Sequence, residues 1–248
     1  NDMVTSKGAS DDGYGLGVIL ECVHQALKYR ESWNQGIKVL FTDAEEVDLQ
    51  GMKAAYKYNK EIFNDVGLIL NIESRGPFGP VLLFETSPRN EQLVKLYANH
   101  ARYPFAYSIM NMVYQKMPNG TDMNIVRDSI PGFNFSPIAD INHYHTDLDN
   151  IHNISKITIQ HYGKQVVPII KEYLTNTIYD DKEYLKAEED LIYFSIPLLG
   201  MYHFTKNQYW LLNIGLCLLL LHLLMKDKNF CWKKSIRQSG IMFAISLA

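Results

Sequence analysis

An uncharged, leucine-rich stretch near the end of the chain constrains the fold most strongly. Residues 208–225 are 18 positions without a single Asp, Glu, Lys or Arg. As a helix they extend about 27 Å, close to the hydrocarbon thickness of a bilayer of about 30 Å. Leucine covers every face of that helix, which favours a transmembrane helix over the alternative, a buried core helix. We therefore predict an integral membrane protein in contact with a lipid bilayer.

The flanks of this stretch predict its orientation. Basic residues follow it, namely Lys226, Lys228, Lys233, Lys234 and Arg237. By the positive-inside rule, residues 226–238 form a basic cytoplasmic loop, and the domain before the helix lies on the non-cytoplasmic side, in a lumen, periplasm or exterior. Residues 191–204 are apolar but interrupted by Pro197 and Gly200, which predicts an interfacial or re-entrant segment; a true span there would reverse the orientation. Residues 241–248 predict the start of a further span.

Before this membrane region, residues 191–248, strand-like and helix-like patterns alternate. Helices are predicted over residues 15–29, 51–63, 90–101 and 154–175, and strands over residues 38–42, 67–72 and 81–86. The alternation predicts an α/β fold with a mixed, mostly parallel sheet flanked by helices and followed by transmembrane helices. This domain is predicted over residues 1–178, with a charged linker over residues 179–190.

Acidic side chains follow the predicted strands or precede the first helix. Ligands of α/β sheets collect beyond the carboxyl ends of strands, and two divalent ions about 3.5–4 Å apart need a shared carboxylate, ligands on each ion and a free carboxylate as base. We interpret Asp11 as the shared ligand, Glu46 and Glu73 as ligands of one ion each, His145 as an imidazole ligand and Glu45 as the base. Carboxylates and imidazole without thiolate favour zinc, manganese or cobalt.

Each of these residues also has a structural interpretation. Asp11 and Asp12 are typical N-cap residues for the helix that follows. The pair Glu45 and Glu46 is typical of a solvated helix start, and His145 is one of eight histidines. The joint order of these residues along the chain favours the metal site.

Together these stretches resemble the M28 zinc peptidases, in particular the membrane-anchored branch of vacuolar membrane proteases and endoplasmic reticulum metallopeptidases. The resemblance covers roughly residues 1–240. The matching stretches are GASDDGYG from Gly8, the EE pair at Glu45, NIESRGPFGPVLLFETSP from Asn71, GTDM from Gly120 and YHTDLD from Tyr144.

The resemblance implies a fold like that of zinc aminopeptidases and two zinc ions per chain. It assigns Asp11 as the bridging ligand, Glu45 as general base, and Glu46, Glu73 and His145 as ligands. It further implies that Tyr144 donates a hydrogen bond to the tetrahedral oxyanion. In this family a His-x-Asp motif supplies another zinc ligand, and Asp2 is the counterpart of its Asp, which places the ligand His immediately before Asn1.

The function that follows is a membrane-anchored zinc-dependent exopeptidase, an aminopeptidase by family analogy, which hydrolyses peptide substrates with a zinc-activated water. Arg75, Tyr107 and Phe135 are candidates for lining the substrate pocket. Two alternatives remain: a single-zinc, glutaminyl-cyclase-like transferase, and a non-catalytic membrane protein. Retention of the whole set of clustered carboxylates argues against the second, because their mutual repulsion is unfavourable without cations.

Charge and cysteine content exclude other classes. The net charge of −3 gives no basic surface for nucleic acid. The three cysteines, Cys22, Cys217 and Cys231, are scattered and predict neither a disulfide framework nor a thiolate metal site. The sequence does not indicate an oligomeric state.

Overall fold

The computed structural model of the protein describes residues 8–226. The predictions for Asp2, for the basic loop beyond Lys226 and for the further span at residues 241–248 lie outside the described residues. Helices are α1 (Gly15–Leu27), α2 (Gln50–Tyr58), α3 (Glu91–His100), α4 (Ser108–Tyr114), α5 (Met123–Val126), α6 (Lys156–Thr175) and α7 (Lys206–Lys226). Strands are β1 (Ile69–Ile72), β2 (Phe78–Thr86), β3 (Gly132–Ala139), β4 (Ile192–Ile196) and β5 (Gly200–Phe204). The mixed α/β class is confirmed.

The central sheet has the strand order β1-β3-β2. β1 runs parallel to β3, whereas β2 runs antiparallel to it. Parallel pairs therefore do not predominate in the described part of the sheet, contrary to prediction. The reason is the connection from β1 to β2, whose few residues reverse the chain; β2 then pairs with β3 on the side opposite β1.

The main core lies between this sheet and the helices on it. α6 packs against α1, against α3 and against the sheet. Large aromatic side chains are completely buried there, namely Tyr97, Phe133, Phe135, Tyr162 and Tyr193. β3 is buried over most of its length because it is the central strand. This core holds the ends of β1 and β3 in fixed positions.

Three helix predictions agree with the structure and one needs a boundary change. α1, α3 and α6 lie within or at the predicted ranges, and the Ser155 side chain caps α6 by accepting a hydrogen bond from the Thr158 N–H at 3.2 Å. The predicted helix over residues 51–63 ends at Tyr58, and a short helical turn follows at Lys60–Ile62. Asn59 interrupts it with non-helical backbone angles.

The predicted strand over residues 38–42 is wrong. Within the described residues, no backbone group between Gly36 and Thr42 forms a hydrogen bond with another backbone group, and Val39, Leu40 and Phe41 are exposed. A cavity of about 250 Å³ lies between this segment and β1. An apolar run becomes a strand only when a neighbour satisfies its backbone, and no segment between residues 8 and 226 does so.

The compact unit continues past the predicted domain boundary at residue 178 and ends at Thr205. It includes the predicted linker and the hairpin of β4 and β5. Leu191, Tyr193 and Ser195 of this segment are buried, and the Ser195 N–H donates to the Ala106 carbonyl at 2.9 Å. The hairpin turn itself is apolar and exposed at Leu198 and Leu199.

α7 forms the second unit. It covers 21 residues and, among the described residues, it alone is long and apolar enough to cross a membrane. No residue of this helix is buried in the described part of the chain.

Candidate metal centre

Three of the predicted metal ligands meet in one place. His145 Nε2 lies 2.8 Å from Glu46 Oε1 and 3.2 Å from Asp11 Oδ2. One ligand atom from each residue lies within 4.8 Å of those of the other two. The three side chains come from separate loops, so the fold brings them together across more than 130 residues of chain. The arrangement suits a small divalent cation.

Glu45 and Glu73 lie at the same place. Both line a cavity of about 250 Å³ that Asp11, Glu46 and Tyr144 also line. β1 ends immediately before Glu73, as predicted from the sequence. The glutamate backbone is held on both sides, because its N–H donates to the Phe135 carbonyl at 2.9 Å and its carbonyl accepts a hydrogen bond from the Tyr162 hydroxyl of α6.

The carboxylates raise one another's pKa values. Burial, followed by repulsion from Glu46, raises the pKa of Asp11 to about 6 and that of Glu45 to about 7. Burial is the main cause that raises the pKa of Glu73 to about 8, and the Asn71 side chain partly opposes it. A cation bound here would oppose these shifts, since it stabilises the ionised forms.

The donor set fits zinc. It contains carboxylate oxygens and one imidazole nitrogen, with no thiolate near it. The adjacent Asp12 supports this interpretation, because its Oδ1 is buried without a hydrogen-bond partner among the described residues. Burial and the neighbouring Glu73 raise the pKa of Asp12 well above its ordinary value.

Asp149 holds the loop that carries Asp11. Asp149 Oδ1 accepts hydrogen bonds from the Ser10 N–H at 2.7 Å and the Ser10 hydroxyl at 2.8 Å. Its Oδ2 accepts from the Asp11 N–H at 3.0 Å. The Gly8 N–H also donates to the Asp149 carbonyl at 3.2 Å. One buried carboxylate therefore connects the Asp11 loop with the loop that carries His145.

Tyr144 lies against the imidazole of His145. The two rings are stacked with their centroids 3.7 Å apart. Burial and the nearby Asp11 raise the pKa of Tyr144 well above its ordinary value, so its hydroxyl keeps its proton. Tyr144 can therefore donate a hydrogen bond into the cavity that it lines.

Comparison with known proteins agrees with this geometry. The model of peptidase family M28 matches residues 2–170. The chain belongs to peptidase family M28. No solved structure gives a significant match.

The curated relatives of this M28 chain are longer proteins that are named for the endoplasmic reticulum or for the vacuolar membrane. It is 31% identical to endoplasmic reticulum metallopeptidase 1 of Homo sapiens over 180 residues, which are 71% of this chain and 20% of the relative. It is 28% identical to the vacuolar membrane protease of Verticillium alfalfae over 71% of this chain and 17% of the relative. It is 27% identical to the vacuolar membrane protease of Candida albicans over 98% of this chain and 28% of the relative. The matched part of the chain thus spans between 17% and 28% of the length of these relatives.

A second layer of polar residues lies behind Glu73 in this M28 domain. Asn71 Nδ2 donates to Glu73 Oε1 at 2.8 Å and to Asn134 Oδ1 at 3.0 Å. Asn134 Nδ2 donates in turn to Glu85 Oε2 at 3.0 Å. Arg127 forms an ion pair with the completely buried Glu85. A continuous chain of polar contacts therefore runs from the predicted metal ligand to a buried ion pair.

Sequence reasoning missed this layer and Asp149. Two signals were present: Glu85 is a charged residue inside a predicted apolar strand, and Asp149 belongs to the YHTDLD stretch. Their partners are distant in sequence, so their roles depended on the fold.

One of the three candidate pocket residues lines the cavity. Arg75 does so, together with apolar residues such as Phe84, Met110 and Val113. Phe135 is instead completely buried in the core. Tyr107 forms an isolated bridge with Phe194 and is not among the lining residues.

Proposed function

We propose that this chain is the peptidase region of a membrane-anchored zinc-dependent exopeptidase that acts as an aminopeptidase with two zinc ions. The observation that carries the proposal is the meeting of Asp11, Glu46 and His145 beside a cavity that Asp11 and Glu46 line together with Glu45 and Glu73. The metallopeptidase and protease names of the relatives support the reaction class. The apolar walls of the cavity leave room for a substrate side chain beside the polar centre.

The ligand roles follow from position. Asp11 is proposed to bridge the ions, as the family resemblance implies, while Glu46, Glu73 and His145 are proposed as terminal ligands. Asp2 is proposed to orient the ligand histidine that the family places before it. When bound, two zinc ions polarise the scissile carbonyl and make water a nucleophile at neutral pH.

Two residues of this chain handle the reacting protons and charge. Glu45 lines the cavity without belonging to the Asp11–Glu46–His145 cluster, so its carboxylate is available to accept the proton of the attacking water. Glu45 then donates that proton to the leaving amine. The Tyr144 hydroxyl donates a hydrogen bond to the oxygen that becomes negative in the tetrahedral state.

The membrane part of the proposal rests on α7. Its length and composition suit a single span, and the relatives are named after membranes. The exposed turn residues Leu198 and Leu199 are proposed to contact the bilayer interface. With a basic cytoplasmic loop after Lys226, the peptidase domain lies on the non-cytoplasmic side.

Hydrolysis by the full-length protein tests the proposal. The detergent-solubilised, zinc-loaded protein is expected to release the first residue of a peptide with a free N-terminus and to leave the N-acetylated peptide intact. Glu45→Gln is expected to lower turnover by about 10²–10⁴-fold, while the exposed control Glu61→Gln leaves it unchanged. Cleavage of the acetylated peptide at the same rate would contradict the aminopeptidase assignment.

Bound metal separates the remaining alternatives. Two zinc ions per chain support the proposed peptidase, whereas one ion with cyclisation of an N-terminal glutamine supports the single-zinc transferase. No bound zinc and no turnover would support a non-catalytic membrane protein.

A further inference from the structure

We propose that Arg75 forms a carboxylate-binding subsite beside the metal centre, so that the preferred substrates carry a carboxylate close to the cleaved bond. This inference rests on the proposed peptidase function, which it deepens by naming the substrate class. The evidence lies in the position, the surroundings and the pairing of this one side chain.

The backbone of Arg75 is fixed. It lies two residues after Glu73, and its N–H donates to Ser136 Oγ at 2.8 Å and to the Pro137 carbonyl at 3.2 Å. Both acceptors belong to β3, the central strand of the sheet. The side chain therefore extends from a rigid position and lines the same cavity as Asp11 and Glu46.

The guanidinium group is close to the proposed chemistry. Its Cζ lies 5.2 Å from the centroid of the Tyr144 ring, and Tyr144 is stacked on His145. Stacking on an aromatic ring orients a planar guanidinium and leaves its edge available to a ligand. A group bound at that edge is therefore separated from the proposed metal ligands by one side chain, that of Tyr144.

Part of the hydrogen-bonding capacity of Arg75 is unused. Among residues 8–226 its Nε is buried without a hydrogen-bond partner and its side chain forms no ion pair with a carboxylate, although four acidic side chains line the cavity. Arg127 is the contrasting case, since it pairs with the buried Glu85. A buried donor without a partner is unfavourable, so a ligand that supplies the acceptor is favoured at Arg75.

The chemical class of that ligand follows from the guanidinium group, whose N–H donors are arranged as a planar fork. Guanidinium pairs with carboxylate through two parallel hydrogen bonds. A peptide can present this group in two ways: as the C-terminal carboxylate of a dipeptide, or as the side chain of Asp or Glu next to the cleaved bond. Both sources place one carboxylate against Arg75.

Paired substrates distinguish the two sources. The full-length, zinc-loaded protein is assayed with Leu-Gly and Leu-Gly amide, and with Leu-Asp-Gly amide and Leu-Asn-Gly amide. We expect a lower KM for the carboxylate member of at least one pair. Arg75→Gln is expected to raise that KM by about 10–100-fold with little change in kcat, and Arg75→Lys to restore part of the preference. The exposed Arg102→Gln serves as the matched control.

A binding measurement keeps the test independent of turnover. Isothermal titration uses a Leu-Gly analogue in which a CH₂–NH group replaces the peptide bond, as the free acid and as the amide, together with the corresponding Leu-Asp and Leu-Asn analogues. A carboxylate preference that Arg75→Gln removes supports the subsite, even if no peptide is cleaved, in which case the proposed peptidase function alone fails. Equal affinity for acid and amide in both pairs would overturn the subsite, even if hydrolysis is fast.

Discussion

At the scale of single residues, the position of Asp11 depends on Asp149. Both oxygens of the buried Asp149 carboxylate accept hydrogen bonds from the loop that carries Asp11. Mutation of a group that orients a metal ligand typically lowers metal affinity by about 10–100-fold. Asp149 is therefore a positioning residue for the proposed metal centre.

Replacement of Asp149 tests this role. Asp149→Asn removes one of the two acceptors, and we expect the zinc affinity of the full-length protein to fall by about 10–100-fold. Competition with a chromophoric chelator measures the affinity. The control is Asp65→Asn, since Asp65 pairs with Lys182 outside the cavity. Equal affinities in the wild type and Asp149→Asn would contradict the role.

The sequence predicted the candidate ligands better than the residues that hold them in place. Asp11, Glu46 and His145 were recognisable because carboxylate and imidazole are the donor types that zinc binds, and the structure brings them together. Asp149 was missed because its partners lie 138 and 139 positions away. The spacing of residues in a chain does not report such contacts.

At the scale of elements, β2 and the segment after α5 are joined by the ion pair of Glu85 and Arg127. Glu85 is completely buried, whereas the Arg127 side chain is 26% exposed. Removing one partner of a buried pair leaves an uncompensated charge, which costs more than the pair contributes.

The cost of breaking this pair is measurable. Arg127→Met is expected to lower the free energy of unfolding by about 3 kcal/mol, with the exposed Arg102→Met as control. The double variant Glu85→Gln, Arg127→Met is expected to recover part of the loss, because no charge is left buried. Denaturant unfolding followed by circular dichroism measures all three variants, and an unchanged Arg127→Met would refute the account.

The wrong prediction of a strand over residues 38–42 also has its cause at the scale of elements. The apolar run has the composition of a strand, yet strand formation requires a hydrogen-bonded neighbour, and a cavity separates this segment from β1. Helices such as α1 and α6 satisfy their own backbone groups. Their approximate positions were therefore predictable from periodicity alone, whereas strand pairing was not.

α7 gives a prediction at this scale too. Leu219 lies near the middle of the helix and is exposed. Leu219→Arg is expected to disfavour insertion by about 3 kcal/mol, and Leu219→Ala serves as the control of similar helix propensity. A reporter protein that carries residues 206–226 as its one apolar segment, with a glycosylation site on each flank, measures insertion. Equal insertion of the wild-type segment and of Leu219→Arg would contradict a span through this helix.

At the scale of the whole molecule, clustered carboxylates couple stability to pH and metal. Without metal, the pKa values of Asp11, Glu45 and Glu73 are raised to about 6, 7 and 8. Their ordinary values are 3.8 for Asp and 4.5 for Glu. Between these limits the folded state binds more protons than the unfolded state, so the free energy of unfolding falls as pH rises.

The fall in the free energy of unfolding with rising pH can be measured directly. The metal-free protein is expected to lose stability steadily between about pH 4.5 and pH 8, and zinc is expected to reduce that loss because cations favour the ionised carboxylates. Denaturant unfolding at pH 5, 6.5 and 8, with and without zinc, measures both effects. A metal-free protein that gains stability over this range would contradict the electrostatic account.

The zinc content of the purified full-length protein tests the central claim most directly. The measurement is mass spectrometry of the metal after dialysis, for the wild type, for His145→Ala and for the exposed control His152→Ala. Two ions per chain are predicted in the wild type and in His152→Ala, and the loss of at least one ion in His145→Ala. Equal zinc content in all three proteins would show that the cluster of Asp11, Glu46 and His145 is not the metal centre.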